Sequence, residues 1–437
     1  MSTGSADTHN ASTAVPYWRL SGFYFFYFCG LGALVPYWSL YLKAEGYGSR
    51  EIGILAAIIM GTRIIAPNLW GWLGDRSGRR LTIVRWGAAL AAIFFSGVIF
   101  SGYFWPGHFT FLVLAIIAHS FFWNAILAQF EVITLNHLGT QPQHYSRIRV
   151  WGSVGFILTV MALGLLFDII SPIHLPWFVF IFLVLIWICS LLLNETQQHC
   201  QVSHWSGFWR IVWKPPVLAF FLAVFLLQLS FGPYYTFFSL LLEQLGYSKS
   251  AIGFLWSLGV VAEVLIFMLM HRLLPILGVR LLLLMSLALA FIRWLMIAWL
   301  AGHQTGSEAL LLLAQCLHAF SFATAHAASI EFIRRYFSGS AISIEPNKSN
   351  YSAQNSVQNE FQNNDCQGKD HQGQGQSLFS AVSWGFGGSL GALAAGYLWA
   401  FNPATGLQWM FIGAAVVALF AFVAIWFGVK SDDPYLR

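Results

Sequence analysis

Seven ionisable side chains stand inside otherwise apolar stretches of this 437-residue sequence: Arg63, Glu131, Arg149, Glu263, Arg293, His318 and His326. A charge at the centre of a membrane-spanning helix costs about 2.5–3.5 kcal/mol on insertion scales, so it persists where it is paired, hydrated or used. Two kinds of chemistry are open to such a set. A guanidinium binds a carboxylate through a planar fork of donors. A carboxylate or imidazole in a low-dielectric site takes up and releases protons near neutral pH. Glu131 and Arg149 bracket one short loop, and Glu263 and Arg293 bracket another. Antiparallel neighbours joined by such loops can bring each carboxylate to a guanidinium. Buried salt bridges that only fix helix packing are the plainer use of the same pairs. His119, Asp168 and Glu331 lie nearer the expected helix ends and read as interfacial or locally satisfied groups.

The elements that must position these residues follow from composition. Hydrophobic residues make up 58% of the chain and charged residues 9%, against about 25% charged in a soluble domain. Such a surface cannot face water. Apolar runs of about 20 residues, the length that spans a bilayer, recur from end to end. Twelve helices are expected, near 17–43, 50–73, 81–102, 108–136, 148–170, 173–194, 215–243, 250–272, 279–301, 307–337, 377–401 and 405–429. The fold class is therefore an all-α integral membrane protein of twelve transmembrane helices. Pro172, Pro176, Pro215, Pro216 and Pro403 fall at or near these ends, as helix breakers should.

Between the runs, positive charge is lopsided. If the termini share one side, 17 Lys and Arg residues fall in segments on that side, three (Lys43, Arg50, Lys249) fall opposite, and Arg63 and Arg293 lie within helices. Positive-inside bias makes the populated side cytoplasmic, which implies a multi-pass protein of the cell inner membrane with both termini in the cytoplasm. The expected organisation is a polar tail over 1–16, six helices over 17–194, a central cytoplasmic loop over 195–214, six helices over 215–429 and a tail over 430–437. Residues 338–376 are rich in Asn, Gln, Ser and Gly. They cannot bury enough apolar surface to offset their ordering entropy and are expected to form a disordered loop.

The two six-helix halves carry a repeat. At an offset of 200, Ser39, Leu42, Gly46, Tyr47, Ile52 and Gly53 meet Ser239, Leu242, Gly246, Tyr247, Ile252 and Gly253; Gly78, Arg80 and Leu81 meet Gly278, Arg280 and Leu281. Parallel repeats of this kind place a binding site at their interface, near mid-membrane. The five Cys (Cys29, Cys189, Cys200, Cys316 and Cys366) have no metal-like spacing. Neither paired catalytic carboxylates nor a metal cluster is expected, and the +5 charge forms no basic patch with interleaved aromatics. That excludes an enzyme, a metal site, a cofactor and a nucleic-acid partner. A monomer in a lipid bilayer, binding a small solute and protons, is the expectation.

Residues 71–81, Gly71-Trp-Leu-Gly-Asp75-Arg76-Ser-Gly78-Arg79-Arg80-Leu81, resemble the loop signature between helices 2 and 3 of the major facilitator superfamily. Gly71 suits close helix approach, Asp75 can cap a helix or pair with an Arg, and Gly78 turns the chain. The resemblance implies that this loop latches one state of a transport cycle.

Residues 145–156, Tyr145-Ser-Arg-Ile-Arg149-Val-Trp151-Gly-Ser153-Val-Gly-Phe156, are similar to the helix-5 entry of lactose permease and its relatives. That resemblance implies substrate-binding roles for Arg149 and Glu131, a site-lining Ser153, and Phe156 where the permease stacks a Trp on its sugar. It implies proton coupling by Glu263, Arg293 and His318, with Ser321 standing where the permease uses a Glu for proton release. A closer resemblance is to the phenylpropionate permease branch. It rests on Pro36-Tyr-Trp-Ser-Leu-Tyr-Leu-Lys43, the 145–156 stretch, Leu255-Trp-Ser-Leu-Gly-Val-Val-Ala-Glu-Val264, His318 and His326, and Leu378-Phe-Ser-Ala381. It implies proton-driven import of an aromatic carboxylic acid; efflux by antiport, and symport of a sugar or nucleoside, are the alternatives, with a non-transporting membrane sensor a remote one. Such an acid needs a cation, from Arg149 or Arg63, and aromatic walls, for which Phe156, Trp151, Tyr37 and Trp38 are candidates. Each of these aromatics also suits ordinary helix packing.

Overall fold

The computed structural model describes residues 15–104, 108–139, 144–195, 207–303, 306–337, 371–430, 432–433 and 435–436. Among them, 11 helices are long and apolar enough to cross a membrane. The 55-residue helix Lys249–His303 leaves helical space at Gly278 (φ 72°, ψ 163°), so it is two spans. The spans are α1 (Tyr17–Ala44), α2 (Ser49–Ser77), α3 (Arg80–Phe104), α4 (Phe109–Leu138), α5 (Tyr145–Phe167) and α6 (Leu175–Leu191). The second half has α7 (Pro215–Gln244), α8 (249–277), α9 (279–303), α10 (Glu308–Phe337), α11 (Gln372–Phe401) and α12 (Gly406–Gly428). Many large apolar side chains point outward, among them Ile93, Leu165, Phe420 and Phe427. In water such a surface would aggregate; against lipid tails it is the matched surface.

The 200-residue repeat is built into the backbone. Gly46 and Gly246 have φ of 89° and 85°, and Gly78 and Gly278 have φ of 64° and 72°. A residue with a Cβ pays about 1–2 kcal/mol in this region, which is why glycine recurs there. The α1 and α7 ends close the same way: Tyr47 N–H donates to the Leu42 carbonyl at 3.0 Å, and Tyr247 N–H to that of Leu242 at 3.0 Å.

The halves meet where α2 packs on α11 and α5 on α8, with α1 against α7. They approach closely at the end of the bundle that carries the α1–α2 and α7–α8 turns. A Cβ added at Gly253 would lie 2.6 Å from the Tyr37 hydroxyl and 2.7 Å from the Val160 carbonyl oxygen. At the same end Lys43 Nζ pairs with Glu243 at 2.9 Å, and Lys249 Nζ with the other oxygen of Glu243 at 2.7 Å. Asp168, at the end of α5, accepts from Lys249 N–H at 2.7 Å and Ser250 N–H at 3.2 Å, capping α8 from the other half. Among the described residues, the hydrogen bonds and ion pair that tie one half to the other gather here.

Three boundaries differ from the sequence expectation. The expected central loop contains a short helix, Phe208–Val212, ahead of α7. Helix α11 starts at Gln372 rather than 377, inside the segment read as disordered, because Gly375 lets this polar stretch seat directly on Ile333 and Phe337 of α10. The tail is docked: Asp433 accepts from the Tyr336 hydroxyl, Lys214 Nζ donates to the Tyr435 hydroxyl at 3.1 Å, and Arg335 Nη1 donates to the Leu436 carbonyl at 2.7 Å. Residues 338–370 lie outside the described residues, as do 1–14 and 196–206.

Candidate functional site

Between the halves lies a cavity of about 1270 Å³. The α5–α8 and α1–α7 contacts seal it at one end. At the other, the α2–α3 end, Tyr145 and Ser146 on α5 and Met268 and His271 on α8 form its rim. Its walls are mostly aromatic and aliphatic, and Arg63, Glu131, Arg149, Glu263, His318 and His326 all face into it.

The first-half wall holds Arg149 one turn into α5. Its guanidinium carbon sits 4.1 Å from the centroid of the Phe28 ring and 5.5 Å from that of Tyr24. A cation over such a face gains about 0.5–2 kcal/mol. Glu131 on α4 lies close enough for its charge and that of Arg149 to act on each other, and Tyr145 bridges Glu131 to Tyr24. Ser153, Phe156 and Trp38 also line this wall.

Arg63 reaches the cavity from a different device. Helix α2 tightens into a 3₁₀ turn at Thr62–Ile64. Asn124 of α4 braces that turn: its Nδ2 donates to the Ile59 carbonyl at 2.9 Å and to Thr62 Oγ1 at 2.7 Å, while its Oδ1 accepts from Arg63 Nε at 3.2 Å. The guanidinium then lies over the ring of Trp384 on α11, 5.4 Å from its centroid.

The second-half wall carries a hydrogen-bonded pair. His318 Nε2 and Glu263 Oε1 are 2.8 Å apart, and the imidazole stacks on Phe322 with its Nδ1 unpartnered among the described residues. His326 lies two turns on, against Phe322 and Phe379.

Three expectations change. Arg293 does not face the cavity or meet Glu263. It is fully buried behind the wall, Nε donating to the Ala314 carbonyl at 2.8 Å and Nη2 to Gln315 at 3.2 Å, with Tyr234 and Trp294 flanking it. Tyr37 is also outside the cavity, because its hydroxyl is spent on the Val160 carbonyl at 2.6 Å, fixing α1 to α5. Trp151 turns away as well, its Nε1 donating to the Tyr17 hydroxyl at 3.0 Å. His119, Asp168 and Glu331 are locally satisfied: His119 by the Ala91 carbonyl at 2.9 Å, Asp168 by the start of α8, and Glu331 by Arg334 at 2.6 Å and Arg335 at 2.7 Å.

In the α2–α3 loop, Asp75 pairs with Arg80, and Arg80 Nη1 donates to Gln129 of α4 at 2.6 Å. Gly78 makes the left-handed turn. Arg76 lies over the Trp72 ring, and Arg79 N–H reaches Ser77 Oγ at 3.3 Å. The tightest approach to α4 is at Gly74 rather than Gly71: a Cβ there would lie 2.7 Å from Gln129 Oε1, against 3.8 Å from Gln129 Nε2 at Gly71. The cap on α3 is Glu195, which accepts from Leu81 N–H at 2.7 Å, and not Asp75.

Residues 17–345 match the model of the MFS_1 like family. The chain belongs to this family of major facilitator superfamily transporters. A relative within it, a probable 3-phenylpropionic acid transporter of Escherichia coli (strain K12), is 30% identical over 331 residues, spanning 71% of this chain and 80% of the relative. A maltose permease of Geobacillus stearothermophilus is 28% identical over 288 residues, spanning 62% of this chain and 68% of the permease. The crystal structure of the nucleoside transporter NupG superposes with a TM-score of 0.73 at 18% identity, covering 94% of this chain and 98% of that one. The chain is thus a multi-pass membrane transporter of the major facilitator superfamily, not an enzyme.

Within this superfamily fold, three residues in or beside the cavity escaped a search for charges in apolar runs. Asn124 and Trp384 are neutral, and Tyr235 reads as one more packing aromatic. The signal for Asn124 was an amide inside an apolar run. For Trp384 it was the glycine-rich opening of α11, which bends into a π-helical turn at Ala381–Gly387.

Proposed function

We propose that this transporter imports a small aromatic carboxylic acid of the phenylpropionate kind together with protons, by alternating access. The observation that carries this reading is the cavity itself. Fixed guanidinium groups stand on aromatic surfaces in one wall, and a carboxylate–imidazole pair able to change charge stands in the other. Arg149, Glu131, Ser153 and Phe156 hold the solute; Glu263 and His318 exchange the proton, with His326 nearby and Arg293 behind them. Similarity to the E. coli relative supports the substrate class. The crowding of Lys and Arg at the α2–α3 end supports placing that end in the cytoplasm, at the inner membrane, with both termini there. The cavity then opens inward. The Gly71–Arg80 loop acts on exchange between states, and the protein works as a monomer.

The test is uptake by proteoliposomes of labelled 3-phenylpropionate, maltose and uridine, with and without an imposed proton gradient. Gradient-dependent accumulation of the arylpropionate is expected. Accumulation of maltose or uridine in its place would overturn the substrate class. Loss of preloaded solute driven by inward proton flow would make the protein an antiporter.

A further inference from the structure

We propose that Arg63 and Trp384 form a clamp that grips the substrate across the two halves, Arg63 taking the carboxylate and Trp384 the ring. The proposal rests on the aromatic-acid reading above and assigns the group that distinguishes an acid from its neutral analogues.

The starting point is which cation in the cavity lacks a counter-ion. Arg149 has Glu131 within electrostatic reach, and Arg293, behind the wall, has Glu263, though neither is in direct contact with its carboxylate among the described residues. The titratable groups beside Arg63 are the phenols of Tyr27 and Tyr235, neutral at physiological pH, and no carboxylate pairs with it among the described residues. Among the described residues its Nε is held by Asn124 and its two terminal nitrogens have no acceptor. A guanidinium at mid-membrane depth with a free fork is a site waiting for an anion, since an unneutralised buried charge is costly. Counting the charges gives the same sign. Arg63, Arg149 and Arg293 stand against Glu131 and Glu263 with the histidines neutral, an excess of one positive charge that one carboxylate would cancel.

The second observation is where Arg63 points. The 3₁₀ turn of α2 packs directly on the π-helical turn of α11: Gly385 lacks a side chain where a Cβ would lie 2.5 Å from Ile64 Cγ1. Both are irregular turns, which often mark functional positions in helices. One comes from each half, and each presents a binding group. Trp384 lies within 5.6–5.9 Å of Phe322 and Tyr235, so its ring forms part of an aromatic pocket of the second half. The guanidinium covers that indole. A substrate with an aryl ring and a carboxylate a few bonds apart supplies both partners at once, the ring to Trp384 and the anion to Arg63. Because the two residues belong to opposite halves, its binding ties the halves together at mid-membrane.

The experiment measures binding of 3-phenylpropionate and of its neutral isostere 3-phenylpropionamide to the purified full-length protein and its variants, each checked for a monodisperse elution profile. Wild type is expected to prefer the acid by about tenfold or more, the size of one charge-assisted hydrogen bond. Arg63→Gln should bring that ratio to near one. Arg63→Lys should keep the preference with weaker binding. Trp384→Leu should weaken acid and amide alike by about tenfold, and Trp384→Phe should restore most of it. If Arg63→Gln does not fold, Asn124→Ala, which frees the guanidinium, should lower the ratio instead. An unchanged ratio in the Arg63 or Asn124 variants, with the acid still bound, would overturn the clamp and leave the aromatic-acid reading standing. Collapse of the ratio in Arg149→Gln instead would do the same and move the carboxylate to Arg149. Binding of maltose or uridine, with neither probe bound by wild type, would sink both.

Discussion

The two walls of the cavity draw on the same inventory, a carboxylate and an arginine, and put it to different uses. In the first half Arg149 lies on Phe28 with Glu131 near it and its donors toward the cavity. In the second half Arg293 lies behind the wall, Nε donating to the Ala314 carbonyl and Nη2 to Gln315 with Nη1 unpartnered among the described residues, while Glu263 turns to His318. What separates the two guanidinium groups is access, since Arg149 lines the cavity and Arg293 is fully buried behind its wall. The first wall therefore offers fixed charge and the second offers charge that can change.

The sharpest break of that comparison is Glu263→Gln. Gln keeps an acceptor for His318 but cannot ionise, so accumulation against a gradient should fall to equilibrium while exchange of labelled solute across the membrane persists. Normal accumulation would remove the proton from helix α8. A smaller effect is expected of Arg149→Lys, which keeps the charge and loses the planar fork. Binding should weaken about tenfold, for acid and amide alike, with driven accumulation still present at saturating solute. An unchanged dissociation constant would remove Arg149 from the site. Smallest in function is Arg293→Lys. Leaving the Ala314 carbonyl and Gln315 without their donor should cost about 1–3 kcal/mol of stability, read as a lower melting temperature, with solute affinity within about twofold. A large loss of affinity at unchanged stability would place Arg293 in the site after all.

Much of the fold was legible because a bilayer leaves the chain few options: each span needs about 20 apolar residues and must satisfy its own backbone. The 200-residue offset was legible for a related reason, since left-handed turns demand glycine and so Gly46, Gly78, Gly246 and Gly278 mark them in the sequence. The inventory of the cavity was legible too, as charges in apolar runs. The pairings were not. Glu263 meets His318 of α10 and not Arg293 of α9, because which faces meet is set by helix crossing, which composition does not encode. Tyr37 and Trp151 have the right chemistry for a wall, but partners 123 and 134 residues away claim their polar groups. Asp168 was rightly read as locally satisfied, yet its partner belongs to the opposite half.

The ion pair between Lys43 and Glu243 joins positions 200 residues apart, the repeat interval itself. Residues related by that interval occupy equivalent places in the two halves, and they can touch each other only near the axis that relates them. In a homodimer of identical halves, each such residue would face its own copy, lysine against lysine or glutamate against glutamate. A salt bridge on that axis is therefore open only to halves that have diverged. At this one position, unequal halves turn an obligatory repulsion into an attraction, and two copies of either half could not reproduce it.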